Sequence, residues 1–513
     1  MATKLNIPLP SKGLVVDRPA EYADARSAAS MRNMEINRNV LRKRLGSIAL
    51  GATLGERIMR YFELQVGSVT RLIRVGLTKV EEYDQTSNAW TSVTSTPLAG
   101  STDDTVDFAF PLLAGQKIAV FTNGSDAIRK LSITGNDAAL GGTPPKAKYM
   151  QAFGPYLVLA YITDAGDTFY SRVQWCDTGD PENWNPVGSD AGSVDLLEDP
   201  EDITGMGVFG RSLTIHKANA IYVGQLVTTS DVFQFDRKPT GVGAAAGATI
   251  ANIPSGEQIF LAADGIHLFN GITAPLIDSP IQEELRETMN PQYLYTSCAI
   301  FVEELDEYWV AVPIGNETRP TTIFKYNWRT KQIYKDDRPG NITLGLYLNQ
   351  DNLLWSDFPV PFNSVTTRWN SRVLSSLNPV PIFGDSAGVS LKRTAISNDD
   401  GATAVDGYTD TKDFVAEDLG IPDIDAMMRW KGIELWAKGN SLKVYYSTDS
   451  GGSWNPITTL TLAADYPSDD APLNVYFDVV SSKIRFRFRN NTAGQTFDLK
   501  KYQLEASQRE ARK

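Results

Sequence analysis

The residue types that most often carry enzyme chemistry are scarce in this sequence. The chain of 513 residues has two histidines, His216 and His267, and two cysteines, Cys176 and Cys298. Two distant cysteines do not form a disulfide framework or a zinc site, and two histidines rule out nearly every histidine-based metal cage. Most Ser-His-Asp and Cys-His mechanisms would lack their base. We therefore expect no catalytic residues, no metal and no cofactor, and a protein that is not an enzyme.

Two acidic clusters are the remaining candidates for acid–base chemistry. They comprise Asp195, Glu198, Asp199, Glu201 and Asp202 in one segment, and Glu303, Glu304, Asp306 and Glu307 in another. A pair of carboxylates is what glycoside hydrolysis requires, and the oxygen atoms of the first cluster would also suit Ca²⁺. Acidic clusters on loops are more commonly solvated surface, which is our interpretation here.

Two basic segments stand out from the acidic average. Arg42, Lys43 and Arg44 are consecutive, while Arg485, Arg487 and Arg489 alternate with apolar residues, so that a strand would show three guanidinium groups on one face. We predict that these six residues contact neighbouring subunits or DNA. The alternatives are a solvated basic turn and a solvated strand face. The net charge of −12 argues against a protein whose main surface grips phosphates.

Two short motifs resemble known functional patterns. Residues 447–454, Ser-Thr-Asp-Ser-Gly-Gly-Ser-Trp, fit the Asp-box pattern S-x-D-x-G-x-[ST]-W, in which the aspartate accepts backbone N–H bonds in a hairpin turn. We predict a structural turn there. Residues 241–246, Gly-Val-Gly-Ala-Ala-Ala, fit the loose dinucleotide pattern G-x-G-x-x-A. Since a strand rather than a helix is predicted next, we interpret this segment as a connector.

The strand pattern predicts an all-β protein. In the segment 259–271, two apolar runs flank Asp264-Gly265, a dipeptide that tolerates the backbone angles of a tight hairpin turn. We expect this hairpin to be the inner pair of a propeller blade. Similar units, including a strand at 353–355, recur about every 40 to 50 residues, the range of four-stranded blades. There is room for six or seven blades, within the usual span of about four to eight.

The parts outside this array divide the chain into three predicted domains. Residues 1–56 form an N-terminal helical and extended arm for assembly, with a helix over 20–36. Residues 57–405 form the β-propeller, and residues 406–513 form a β-sandwich whose tail, from 505, is polar. No apolar run approaches about 18 residues, and no apolar segment follows Lys4, so we expect neither a transmembrane helix nor a signal peptide.

Several segments resemble virion proteins of tailed bacteriophages. They are Asp17-Arg-Pro19, Met31-Arg-Asn-Met-Glu35, Val40-Leu-Arg-Lys-Arg-Leu-Gly46, 173–186, Leu213-Thr-Ile-His-Lys217 with Ile221-Tyr222, and 260–271. The group includes the tail nozzle, or packaged-DNA stabilisation (tail hub), proteins of short-tailed phages. The likeness covers about the first 400 residues, and Leu45 departs from it where a proline is common.

This resemblance implies a structural virion protein, made in the host cytoplasm and located in the tail. Such a subunit forms a ring, a homohexamer, below the portal and adaptor proteins and contacts other tail proteins. The ring extends the DNA channel and closes it until ejection, with no sequence-specific DNA contact and no membrane insertion. An acidic channel wall would let DNA slide without adhering. The alternative class is a carbohydrate-binding or glycan-hydrolysing propeller, either receptor-binding or sialidase-like.

Overall fold

The computed structural model describes residues 3–7, 12–37, 40–227, 231–277, 279–338, 340–348, 379–394 and 397–508. These residues form many small antiparallel sheets and one α-helix, α1 (Gln282–Thr288). Short 3-10 turns lie at Gly247–Thr249, Pro291–Thr296, Glu303–Leu305 and Ala416–Leu419. The predicted all-β class, with a β-propeller and a β-sandwich, is confirmed.

The described residues between 3 and 49 form six strands, two of which overlap the segment 20–36 where a helix was predicted. The strands are β1 (Thr3–Ile7), β2 (Gly13–Leu14), β3 (Ser27–Arg32), β4 (Met34–Asn37), β5 (Val40–Lys43) and β6 (Ser47–Ala49). The predicted helix over 20–36 is wrong. Its residues have reasonable helix propensity, but Asn33 has a φ of 54° between β3 and β4 and both strands pair with other strands. Tertiary pairing outweighs such weak local preferences.

The propeller begins with four blades of four strands each. The strands of blade 1 are β7 (Arg60–Val66), β8 (Val69–Val75), β9 (Val80–Asp84) and β10 (Ala89–Ser92). Those of blade 2 are β11 (Asp107–Ala109), β14 (Ala119–Thr122), β15 (Arg129–Leu131) and β16 (Ala138–Ala139), with a side hairpin of β12 (Leu112–Leu113) and β13 (Gln116–Lys117). Those of blade 3 are β17 (Lys146–Phe153), β18 (Tyr156–Asp164), β19 (Asp167–Trp175) and β20 (Gly192–Asp195). Those of blade 4 are β21 (Ile203–Phe209), β22 (Ser212–Lys217), β23 (Ile221–Leu226) and β24 (Phe233–Lys238).

Three further blades complete the array. The strands of blade 5 are β25 (Ala251–Asn252), β26 (Gln258–Ala262) and β27 (Gly265–Phe269). Those of blade 6 are β28 (Cys298–Val302), β29 (Glu307–Val312), β30 (Thr322–Asn327) and β31 (Ile333–Asp337). Those of blade 7 are β32 (Thr343–Leu348), β33 (Pro379–Gly384) and β34 (Ser390–Arg393). The hairpin at Asp264-Gly265 is confirmed, although it joins the second and third strands of its blade rather than the inner pair.

The ring is closed by a strand from the N-terminal segment. β6 pairs antiparallel with β34 and supplies the fourth strand of blade 7. The inner strand of that blade, β32, contacts β7 of blade 1. Closure of this kind joins the N-terminal segment to the last blade, and radial repetition of blades leaves only short strand edges. The strand predicted at 353–355 lies outside the described residues.

The remaining strands form the two sheets of the sandwich and a small extension of blade 7. They are β35 (Asp399–Asp400), β36 (Thr403–Ala404), β37 (Gly407–Thr411), β38 (Phe414–Val415), β39 (Met428–Gly439), β40 (Ser441–Ser447), β41 (Asn455–Thr461), β42 (Leu473–Ser481), β43 (Lys483–Asn490) and β44 (Phe497–Gln508). β35 and β36 extend the sheet of blade 7 beyond β6. The predicted polar tail begins inside β44, whose residues to 506 alternate between buried and half-buried.

Each sandwich sheet contains N-terminal strands. One sheet has the order β4-β5-β44-β39-β42, with β1 also paired to β44, and the other has the order β2-β3-β37-β43-β40-β41, with β38 beside β43. Strands β1 to β6 thus contribute to both sandwich sheets and to the propeller ring. One apolar cluster includes Trp430 and Phe486 of the sandwich together with Tyr308 and Phe324 of blade 6. The core of the sandwich is therefore continuous with that of the propeller.

Candidate functional site

Arg44 is a buried structural residue. Its side chain is 2 % exposed, and its guanidinium donates to both carboxylate oxygens of Asp400 at 2.5 and 3.1 Å. It also donates to the side chain of Asn33 at 2.9 Å and to the carbonyl of Asp337 at 3.1 Å. Burial opposes the charge of Asp400, but Arg338 and Arg44 outweigh it and lower the pKa of that carboxyl to about 2. Arg44 therefore joins the N-terminal segment to blades 6 and 7.

Lys43 and Arg42 have similar internal partners. The Lys43 ammonium donates to the carbonyl of Gln495 at 2.8 Å, and burial lowers its pKa to about 8. The Arg42 Nε donates to Glu35 at 2.6 Å across the β4–β5 pair. The prediction that residues 42–44 form an external contact is therefore corrected for Lys43 and Arg44, because their side chains are enclosed by the chain itself.

The arginine ladder of β43 is matched by an aspartate ladder. Each guanidinium makes two parallel hydrogen bonds to one carboxylate, from Arg485 to Asp413, from Arg487 to Asp410 and from Arg489 to Asp406, at distances of 2.6 to 2.8 Å. Bidentate pairs of this kind are strong and specific in geometry. The three side chains therefore hold β43 against β37 and its flanking residues, which corrects the interpretation of an open basic face.

The Asp-box segment is a turn between β40 and β41. The Asp449 carboxylate accepts hydrogen bonds from the Ser453 amide at 2.9 Å, the Ser453 hydroxyl at 2.6 Å and the Ser447 hydroxyl at 2.6 Å. Trp454 packs on the Arg487 guanidinium, whose carbon lies 4.1 Å from a ring centre. The predicted structural turn is confirmed. The Gly241–Ala246 segment likewise lies in the connection between β24 and β25, where only a three-residue 3-10 turn follows.

The acidic clusters are largely committed to pairs within the chain. Asp199 binds Arg237 at 2.7 and 2.9 Å, and Asp195 binds Arg172 at 2.7 and 2.9 Å. In the second cluster Asp306 pairs with Arg329 at 2.7 Å.

Among the described residues, no group of three or more His, Cys, Asp or Glu side chains is arranged to hold a metal ion. No helix in the same part of the chain is long and apolar enough to cross a membrane.

A cleft of about 660 Å³ lies where the propeller meets the sandwich. Glu283, Glu284 and Glu287 of α1 line one side, and Arg32 and Lys335 line the other. Lys335 pairs with Glu284 at 3.0 Å, and Arg32 pairs with Asp337. These ion pairs connect α1 and β3 to β31 of blade 6.

A different set of side chains meets at one end of the propeller axis. The inner strands of all blades run in the same direction, so the residues that precede them lie at the same end of the ring. Arg57 precedes β7, Thr102 precedes β11, and Arg319 lies in the β29–β30 connection, which is also at this end. Arg57 donates to the Thr102 carbonyl at 3.0 Å, and Arg319 donates to the same oxygen. We call this place the axial mouth.

The axial mouth has more guanidinium charge than its partners offset. Arg319 is more than nine-tenths buried, and its Nη1 has no hydrogen-bond partner in the described part of the chain. Its Nη2 lies 3.1 Å from a carboxylate oxygen of Asp103, a side chain that is mostly exposed. Burial and repulsion by Arg319 lower the pKa of Arg57 to about 10. An arginine with a lowered pKa is one whose positive charge is poorly compensated.

Lys148 and three tyrosines form the opposite side of the axial mouth. The Lys148 ammonium, on the inner strand of blade 3, lies 5.2 to 5.9 Å from the ring centres of Tyr149, Tyr161 and Tyr295. Tyr295 precedes the inner strand of blade 6, so this contact spans the axis. Burial lowers the pKa of Lys148, which Asp202 and Asp104 oppose.

The other end of the axis carries a carboxyl group. Glu63, on the inner strand of blade 1, accepts a hydrogen bond from the Leu348 amide at 3.0 Å. Burial raises its pKa to about 7. The two ends of the axis therefore differ in charge. Cations lie at the axial mouth, and a carboxyl group with a raised pKa lies at the opposite end.

Sequence reasoning did not find the axial mouth. Its members are dispersed over blades 1, 2, 3 and 6, and only the closed ring brings them together. A usable signal was present, since Arg57, Thr102 and Lys148 follow one another at about the blade repeat. That signal becomes readable only once the inner strand of each blade is known.

Comparisons with known proteins identify neither a family nor a function for this chain. No protein-family model matches the sequence, and no curated protein is significantly similar to it. Among solved structures, YCF48 from Cyanidioschyzon merolae is similar at 12 % identity and a TM-score of 0.38, over 68 % of this chain and 99 % of that one. BamB from Moraxella catarrhalis is similar at 10 % identity and 0.36, over 68 % and 99 %. An exo-β-1,3-galactanase from Phanerochaete chrysosporium covers 90 % of this chain and 100 % of its own at 10 % identity and 0.29.

Proposed function

We propose that the protein is a structural, non-enzymatic subunit of a bacteriophage tail. Copies of the chain form a ring of the nozzle type below the portal and adaptor. The ring extends the DNA channel and retains the genome until ejection. The resemblance of segments such as Asp17-Arg-Pro19 and 260–271 to tail nozzle proteins supports this proposal, and one feature of the sandwich supports assembly into a ring.

That feature is the free edge of β42. Within the described residues β42 pairs only with β39 and ends its sheet. It is nine residues long, and Tyr476 on it is 77 % exposed, with Val480 exposed on the same face. Long strand edges with exposed apolar side chains are templates for pairing with another chain. This edge carries the proposal, because a ring subunit needs a surface that meets a different surface on its neighbour.

The strand pairing of the sandwich holds it firmly to the propeller. Its two sheets include β1 to β5, and β6 of the same segment closes the propeller. Arg44, Asp400 and Arg338 add a buried ionic connection between the N-terminal segment and blade 7. A subunit joined in this way keeps its domains in register while a ring holds DNA under pressure.

The experiment compares two tyrosine variants by sedimentation velocity. Tyr476→Lys places a charge on the β42 edge, whereas Tyr170→Lys alters a tyrosine that is also exposed but lies on blade 3. We expect wild-type protein and Tyr170→Lys to form the same oligomer, and Tyr476→Lys to shift toward monomer. If Tyr476→Lys assembles as wild type does, the proposed edge is not the interface.

The axial mouth favours a second function, carbohydrate binding. The arginines at the axial mouth can donate hydrogen bonds to a polar ligand, and the nearby tyrosine rings can pack against a sugar. This function is compatible with a virion protein that also contacts the host surface. Binding of any oligosaccharide to the propeller, measured by calorimetry, would support it, and absence of binding would leave only the structural role.

A further inference from the structure

We infer that the axial mouth binds the carboxylate of an acidic sugar, with Arg57 and Arg319 as the groups that recognise the anion. This inference rests on the carbohydrate-binding function proposed above and not on ring assembly. The observation behind it is that two guanidinium groups donate to one carbonyl oxygen, that of Thr102, and have a single exposed carboxylate as counter-charge.

The two guanidinium groups have N–H donors that could bind an anion. A guanidinium has five N–H donors, and a carboxylate matches two of them in a planar fork. For Arg57 the described residues provide one hydrogen bond, to Thr102. For Arg319 they provide bonds to Nη2 only, while Nη1 is buried without a partner. A buried donor without a partner is costly, and an oxyanion beside Thr102 would satisfy it.

Charges deeper in the ring strengthen the attraction. Arg60 lies on β7 next to Arg57, and its guanidinium carbon is 5.4 Å from the ring centre of Phe108. Burial raises the pKa of the Cys298 thiol, and the positive charges of Arg60 and Arg57 oppose that shift. Low solvent access around these groups makes each charge interaction stronger than it would be in water.

The tyrosines favour a sugar over a bare ion. The ammonium of Lys148 is flanked by the rings of Tyr149, Tyr161 and Tyr295, and no hydrogen bond or ion pair is found for it in the described part of the chain. Aromatic rings present flat apolar faces with polar edges, which suits a pyranose ring. Lys148 can then donate to hydroxyl groups on the same sugar.

The surrounding carboxylates favour one anionic group over a polyanion. Asp103, Asp104 and Asp202 lie around the mouth, and Asp104 and Asp202 act on Lys148. Continuous phosphate chains such as nucleic acid would meet these like charges, whereas a single carboxylate can bind between the arginines without approaching them. Tighter binding of nucleic acid than of the acidic sugar would therefore contradict the inference.

The test measures binding of three probes to the full-length protein by isothermal titration calorimetry. The probes are a trisaccharide of galacturonate, the neutral trisaccharide of galactose, and inorganic phosphate. We expect the acidic trisaccharide to bind, and Arg57→Gln to weaken that binding at least about tenfold, as for a lost charge-assisted hydrogen bond. The neutral trisaccharide should bind at least about tenfold more weakly to wild type.

A matched control uses Arg329, an exposed arginine of blade 6 in the β30–β31 turn, at the opposite end of the ring. Arg329→Gln should leave binding of the acidic trisaccharide unchanged. Arg57 is preferred to the more buried Arg319, and thermal melting of each variant checks that it remains folded. Loss of binding in Arg329→Gln equal to that in Arg57→Gln would overturn the assignment of the site.

The outcomes separate the inference from the function on which it rests. Equal binding of neutral and acidic trisaccharides would keep the carbohydrate function and overturn the anion site. Binding of neither would overturn both. Phosphate, or a short DNA duplex tested in competition, displacing the acidic trisaccharide with higher affinity would show that the arginines recognise phosphate and not an acidic sugar.

Discussion

Arg487 is the residue whose surroundings depart most from a solvated basic strand. Its guanidinium forms a bidentate pair with Asp410 at 2.6 and 2.7 Å, and its carbon lies 4.3 Å from the ring centre of Tyr408 and 4.1 Å from that of Trp454. Arginine stacks on aromatic faces while keeping its in-plane donors free for a carboxylate. Arg487 thus connects β37, β43 and the Asp-box turn.

Removing this guanidinium is expected to destabilise the sandwich. In Arg487→Met the buried Asp410 carboxylate loses its hydrogen-bonded counter-charge, and breaking a buried pair costs about 3 to 5 kcal/mol in the free energy of unfolding. Asp410 is almost fully buried, whereas Arg487 is one-fifth exposed, so we expect the free energy of unfolding to fall by about 3 kcal/mol. Chemical denaturation measures it.

The pair of Arg429 and Asp478 in the same sandwich is the control. It has the same bidentate geometry, but both side chains are more than half exposed. Arg429→Met should cost less than about 1 kcal/mol, because exposed pairs contribute little. Equal losses in the two variants would contradict the structural role of the Arg487 ladder.

Glu307 is expected to make stability depend on pH. Burial raises its pKa from the ordinary 4.5 to about 7, and this outweighs Lys325 and the Trp309 indole, which donates to the carboxyl at 2.7 Å. The folded state therefore binds the proton more tightly than the unfolded state does. The stability from this group is full below about pH 4.5 and is lost as pH rises through about 7.

Glu307→Gln removes this dependence. Relative to the variant, wild-type protein should lose up to about 3 kcal/mol of unfolding free energy between pH 4.5 and 8. Glu35→Gln tests the opposite sign, because Arg42 and Arg393 outweigh burial and lower the pKa of Glu35 to about 2. The advantage of wild type over Glu35→Gln should be present above about pH 4.5 and vanish toward pH 2. If the difference in unfolding free energy between wild type and variant changed with pH in the same direction for Glu307→Gln and Glu35→Gln, these assignments would be contradicted.

At the scale of elements, the N-terminal strands are integral to the fold. A variant that begins at residue 51 lacks β1 to β6, so blade 7 loses its fourth strand and both sandwich sheets lose pairing. We expect its thermal midpoint to fall by more than about 10 °C or cooperative melting to disappear. Circular dichroism measures this, and adding the 1–50 peptide should restore part of the loss. An unchanged midpoint would show that the segment is a detachable arm.

Local strand signals were readable from the sequence where their partners are close along the chain. The hairpin at Asp264-Gly265 and the turn at Ser447–Trp454 were found because turn chemistry and alternation lie within a few residues. The helix predicted over 20–36 failed for the opposite reason. β3 pairs with β37, about 380 residues later, and no local pattern announces such a partner.

The same limit applies to the charged residues. The alternation of Arg485, Arg487 and Arg489 was visible, but the strand pairing that brings Asp413, Asp410 and Asp406 within hydrogen-bond distance of them was not. Burial of Arg44 depends on Asp400 and Arg338, which the fold brings from distant segments. The axial mouth depends on the closure of the whole ring, so it could be found only in the structure.

For the molecule as a whole, the net charge and one open strand edge are compatible with the proposed ring subunit. The chain has a net charge of −12, while its strongest basic residues are paired inside the fold. Because these pairs are neutral, the net negative charge is carried by the remaining residues, which is compatible with the proposed channel wall along which DNA slides. The β42 edge with Tyr476 is a long strand edge that is open within the described residues.

The most direct test of the assembly claim is the mass of the purified wild-type protein by light scattering, alone and mixed with portal–adaptor particles of the same virus. We expect a closed oligomer of several 56.4 kDa chains, or a ring that forms on the particles. A strict 56.4 kDa monomer that leaves those particles unchanged would contradict it.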